Sequence, residues 1–158
     1  MTEIILIAAA ICIGWLLIRS KKQNQQLAEK NRSAGSEFLT ANADKPEVTT
    51  TASGLQYEIL QTGSGEVHPK ASDKVKVHYH GTLLDGKVFD SSVERNSPIS
   101  FGLNQVIKGW TEGVQLMKEG DKFRFFIPAH LGYGNRGAGE IGPGALLIFE
   151  VELLAIES

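Results

Sequence analysis

Residues 77–92, VHYHGTLLDGKVFDSS, set two histidines, a tyrosine and two aspartates in one short stretch. Imidazoles two apart beside a carboxylate are the parts of a metal site or of acid–base chemistry. The alternation of the preceding residues decides against the metal. Successive strand side chains point to opposite faces, so His78 and His80 share the face of Lys74 and Lys76, the one expected to meet water. Two ammonium neighbours and no assured third ligand make a poor metal site, and none is expected. Tyr79 falls on the other face with Val75 and Val77, pointing inward, where a phenol hydroxyl needs a partner.

The hairpin signal Asp85-Gly86 turns the chain so that Phe89 and Asp90 return toward Tyr79. A carboxylate among aromatic rings is costly unless it is hydrogen-bonded or paired. Tyr79 can donate to it, and Arg95 can supply the opposite charge. Asp90 as a simple loop cap ahead of Ser91 and Ser92 fits the spacing equally well. Covalent chemistry finds no support: there is no G-x-S-x-G, and the single cysteine, Cys12, lies in an apolar run. The glycine-rich stretch 132–144, GYGNRGAGEIGPG, lacks a phosphate-loop pattern. It suits a long loop overhanging something, with Tyr133 and Ile141 as its large side chains.

The elements that would position these residues follow from periodicity. LQYEIL from Leu55, KVKVHYH from Lys74, KFRFFI from Lys122 and ALLIFEVELLAI from Ala145 alternate as half-buried strands. NQVIKGWTEGVQLM, 104–117, carries Val106, Ile107, Trp110, Val114 and Met117 at helical spacing, with Asn104 as its N-cap. One short helix among alternating strands predicts an α+β domain whose antiparallel sheet packs on that helix. The balance of 42% hydrophobic and 22% charged residues supports a real core, and a net charge of −2 gives no footprint for nucleic acid.

Ahead of this domain lie two other segments. Residues 4–18, IILIAAAICIGWLLI, form an uncharged run of marginal membrane-spanning length, so 1–19 is expected to be an uncleaved transmembrane or signal-anchor helix. Arg19, Lys21 and Lys22 follow it, which favours the cytoplasmic side of the membrane for the rest of a single-pass chain and leaves the opposite side open; in a bacterium that membrane would be the inner one. Residues 20–47 read as a polar helical stalk ending before Pro46, in which Leu27 and Ala34 hint at pairing with a second copy. The domain proper is expected over 48–158.

VHYHGTLLDGKVFDSS, VIKGWTEGVQLMKEGDKFRFFIP, LGYGNRG and IGPGALLIFEVELL, in that order, resemble the FKBP-type peptidyl-prolyl isomerases, and AGSEFLTANADKPEVTTTASGLQY resembles their bacterial macrophage-infectivity-potentiator branch. The resemblance implies a strongly curved antiparallel sheet wrapped around one short helix, and a rotamase needing no cofactor. It implies Tyr79, Asp90 and Tyr133 as catalytic residues. Substrate-binding positions would be Phe89, Arg95, Val106, Ile107, Trp110, Ile141 and Phe149, with Trp110 as floor and Arg95 supporting the tyrosine–aspartate pair. Proline-containing polypeptides would be the substrates and macrolides such as rapamycin the inhibitors, with a homodimer through the stalk. Many members carry an aromatic before the helix where this chain has SPISF, with Pro98 and Phe101. An FKBP-fold chaperone or scaffold with little isomerase activity is the alternative.

Overall fold

The strand patterns pair as their apolar faces require. The structure, a computed structural model, describes residues 2–157, with the side chains of 2–6 and 8 outside that description. Among the described residues seven strands form one antiparallel sheet: β1 (Val48–Thr50), β2 (Gln56–Gln61), β3 (Lys74–Leu83), β4 (Val88–Ser91), β5 (Ile99–Gly102), β6 (Lys122–Ile127) and β7 (Leu147–Glu157). Their order is β1-β2-β6-β7-β3-β4, with β5 on the same edge of β3 as β4 but further along it. Register breaks at Ile59/Gln61, Lys76/Val77 and Gly81/Thr82, and such irregularities bend a sheet. One face buries Val75, Val77, Phe123, Phe125, Ile127, Leu147, Val151 and Leu153.

The helix α2 that this face covers is shorter than its periodicity suggests. It spans Lys108–Val114, seven residues, preceded by a 3-10 turn at Leu103–Gln105. Asn104 sits inside that turn and does not cap the helix; Ile107 occupies the N-cap without a side-chain bond. Val106, extended at φ −121° and ψ 177°, separates turn from helix. Val106 and Ile107 keep helical spacing from Trp110 because all three face one cavity, not because one helix carries them.

Helix α2 lies unusually close to β6. A Cβ on Gly109 would stand 2.6 Å from Ile127 Cγ2, and one on Gly113 would stand 2.6 Å from Phe125 Cε1. Both neighbours are fully buried, so neither has room to retreat.

One unbroken helix, α1 (Thr2–Ala43), runs through both the apolar and the polar N-terminal segments. Among the described residues no helix is long and apolar enough to cross a membrane, and the expected span at 4–18 falls in part on residues outside that description. The expected solvated stalk is in fact docked along its C-terminal half. Phe38 packs on Phe126 with ring centroids 5.7 Å apart, and Gly35 lies against Leu146. Asn42 Nδ2 donates to Gln56 Oε1 at 2.9 Å, and Gln56 Nε2 donates to the Leu39 carbonyl at 2.9 Å. Leu27 and Ala34 remain exposed.

Gly113→Ala tests the close approach. Helix propensity alone would favour alanine by about 1 kcal/mol, whereas overpacking a full core costs about 1–3 kcal/mol. The urea midpoint should fall with the slope unchanged; a rise would show that Phe125 yields.

Candidate functional site

Tyr79 is placed by β3, which carries it inward under β7 between His78 and His80. The hairpin at Asp85-Gly86 closes with Gly86 N–H donating to Leu83 O at 3.0 Å. It sets Asp90 opposite Gly81, within reach of the phenol. Tyr79 Oη donates to Asp90 Oδ2 at 2.5 Å. Arg95, on the connection between β4 and β5, donates through Nη1 to Asp90 Oδ1 and through Nη2 to Tyr79 Oη at 3.1 Å. The loop-cap reading of Asp90 is displaced by this three-membered cluster.

The cluster stands at the mouth of a cavity of about 810 Å³ between α2 and the concave face of the sheet. Nine of the ten expected site residues line it: Tyr79, Phe89, Asp90, Val106, Ile107, Trp110, Tyr133, Ile141 and Phe149. Arg95 does not; it holds Asp90 and Tyr79 from behind. Trp110 forms the centre of an aromatic box. Its ring centroid lies 5.1 Å from Tyr79 and 5.1 Å from Phe149, both edge-on, and 5.3 Å from Phe101. Phe89 meets Phe149 edge-to-face at 5.2 Å. The Trp110 Nε1 is buried without a hydrogen-bond partner.

Ile99, Phe101, Gln105, Ala138, Gly139 and Glu140 also line the cavity and were not assigned from sequence. The alternation Ile99-Ser100-Phe101 on β5 was the missed signal for the first two. They supply the wall that SPISF left open: Ile99, not Pro98, points inward, and Pro98 is exposed. Glu140 belongs to an irregular loop, for which periodicity offers no signal.

Burial would push the Asp90 carboxyl up, but the hydrogen bonds from Tyr79 and Arg95 together hold it below the usual carboxylate range. Burial, then the bond to Asp90, pushes the Tyr79 phenol up. The site therefore holds a fixed carboxylate and a neutral phenol. The two histidines are not free in water as expected. Both are half-buried, with His78 Nδ1 2.7 Å from Ser92 Oγ and His80 Nδ1 2.8 Å from Ser91 Oγ.

Such a box of aromatic and aliphatic side chains suits binding an apolar, uncharged group. Comparison with known proteins agrees: residues 65–154 match the FKBP-type peptidyl-prolyl cis-trans isomerase family, and residues 11–59 match the domain amino-terminal to it. The chain belongs to this FKBP-type family. It is 56% identical over 138 residues to the FKBP-type peptidyl-prolyl cis-trans isomerase FkpA of Aeromonas hydrophila, covering 87% of this chain and 51% of that one. It is 43% identical over 143 residues to the outer membrane protein MIP of Legionella longbeachae, covering 90% and 61%. The chain thus spans about half to six-tenths of these relatives. The crystal structure of FkpA from Escherichia coli superposes with a TM-score of 0.87 at 39% identity, covering 96% of this chain and 71% of that one.

The depressed Asp90 carboxyl links the site to pH. An acid whose folded-state value lies below its unfolded value adds stability above the unfolded value, and loses it as pH falls through the folded one. Because the Asp90 side chain is 44% exposed, solvent keeps the effect small. The urea midpoints of the wild type and Asp90→Asn should differ at pH 7 and converge as pH falls below about 4. A gap constant with pH would mean that the ion pair is not formed in solution.

Proposed function

We propose that the domain over residues 48–158 accelerates rotation about X–Pro peptide bonds in polypeptides by binding the twisted amide in this aromatic box. The observation that carries the reading is the edge-on closure of Tyr79 and Phe149 around Trp110, with the Tyr79–Asp90–Arg95 cluster at the mouth. Rotation about an amide has a barrier of about 18–20 kcal/mol because the planar form carries resonance. In the twisted state resonance is lost and the carbonyl dipole shrinks. An apolar pocket favours that state over the planar amide, which is better solvated by water. The prolyl ring rests on Trp110 between Tyr79, Phe89 and Phe149. The hydroxyl of Tyr133, 40% exposed at the mouth, and the main-chain N–H of Ile107 hold substrate carbonyls. Asp90 supplies a fixed field and takes no proton. Each tenfold in rate corresponds to about 1.4 kcal/mol, so a thousandfold needs about 4 kcal/mol of differential binding. An FKBP-fold scaffold with little turnover would have no use for a complete pocket.

Trp110→Leu and Asp90→Ala should each lower kcat/KM at least about tenfold with far-UV circular dichroism preserved. Rapamycin should compete with a proline-containing peptide on the wild type. Unchanged turnover in both variants would overturn the assignment of the site.

We also infer that the apolar segment of α1 associates with a bilayer. Seven large apolar side chains from Ile7 to Ile18 are 57–70% exposed, a surface that needs cover, and Arg19, Lys21 and Lys22 follow it as an anionic headgroup would favour. The full chain should float with vesicles containing anionic lipid, and Ile11→Lys with Leu17→Lys should stay in solution. Concentration-dependent self-association without flotation would instead make a second copy the cover.

A further inference from the structure

The histidines that flank Tyr79 are used neither by the cavity nor by a metal. They belong to a ladder of side-chain bonds in which each residue of His78-Tyr79-His80 meets one of Asp90-Ser91-Ser92. Tyr79 pairs with Asp90, His80 with Ser91, and His78 with Ser92. Ser92 is fully buried and stands where the chain leaves β4. Its Oγ accepts the Tyr79 main-chain N–H at 2.8 Å, and its own N–H donates to the Tyr79 carbonyl at 3.0 Å. The same hydroxyl lies 2.7 Å from His78 Nδ1 and 3.3 Å from the Tyr79 carbonyl.

The Ser92 hydroxyl has one proton and two lone pairs. When His78 carries its proton on Nε2, the hydroxyl donates to Nδ1. An imidazolium donates from Nδ1 instead. Both lone pairs of Ser92 Oγ are then taken, by Tyr79 N–H and His78 Nδ1–H, and the hydroxyl proton must turn to the Tyr79 carbonyl. The contact at 3.3 Å would have to shorten to make a good bond, drawing on the backbone that aims the phenol at Asp90.

We propose that His78 is a positioning residue for isomerisation, fixing the main chain of Tyr79 through Ser92, and that its protonation lowers turnover. This rests on the assignment of Tyr79 and Asp90 to the site. Glu152 on β7 stands opposite His78, with Lys122 of β6 opposite Glu152 in turn; Lys76 and His80 share its face of β3, and the connection after β4 contributes Glu94 and Arg95. Asp90 is displaced downward and Tyr79 upward, both away from the range in which imidazoles change charge.

The test is turnover of an uncharged acetyl-Ala-Leu-Pro-Phe-amide peptide, followed by NMR exchange spectroscopy on the full chain between about pH 5 and 8. Wild-type kcat should fall about fivefold toward the acid end, the worth of one hydrogen bond, with KM little changed. In His78→Asn the amide oxygen takes the place of Nδ1 and accepts from Ser92 but does not titrate, so kcat should be restored and the step lost. His78→Val should be low throughout, and His80→Asn should keep the step. A step that persists in His78→Asn, or is absent from the wild type, overturns the inference. Asp90→Ala run alongside separates the two levels: intact turnover there would remove the site assignment itself, whereas its loss together with a persisting step removes only the role of His78.

Discussion

Gly109 and Gly113 let α2 settle against Ile127 and Phe125 with no side chain between them, and most of the pocket's geometry follows from that contact. Trp110, next to Gly109, is carried down with the helix and becomes the floor. Each interior glycine costs about 0.5–1 kcal/mol of helix stability, and α2 has only seven residues over which to offset it. Packing against the bent sheet, rather than propensity, therefore holds the helix in place. The same packing explains the abrupt entry. Val106 and Ile107 stay extended so that their side chains line the cavity, and the helix begins only after them.

The electrostatics of the mouth depend on a break in the sheet edge. β4 and β5 pair with different stretches of β3, and the connection between them bulges away. Arg95 is on that connection, followed by Asn96 with a positive φ of 49°, a conformation that asparagine tolerates better than most residues. An uninterrupted strand would have carried the guanidinium past Asp90. The bulge returns it to the carboxylate and the phenol together, which outweighs the burial that by itself would raise the Asp90 carboxyl.

Much of this was legible as alternation. Val75, Val77 and Tyr79 are buried, as their period of two demands, and so are Leu147, Phe149, Val151 and Leu153. Alternation failed where a third body covers the outer face. Phe126 sits on the side of β6 that Lys122 and Arg124 mark as polar, and is buried because Phe38 of α1 lies on it. His78 and His80 share the lysines' face, but the outward side of a strand is not always wet. The chain returning from β4 supplies serines that a one-dimensional pattern does not bring together. The length of α2 was misjudged for a related reason: facing a common cavity and sharing a helix produce the same spacing.

The sheet's outer strands are short. β1 has three residues, and the opposite edge is divided between β4 and β5 with four each. Strand edges are templates for any extended chain with unpaired backbone groups, and nascent or unfolded polypeptides are rich in such chains. A protein that handles them through a side-chain pocket risks being captured by them along its backbone. Brief, interrupted margins give a visiting chain too few consecutive hydrogen bonds to nucleate a joint sheet, as the proposed handling of such chains would require.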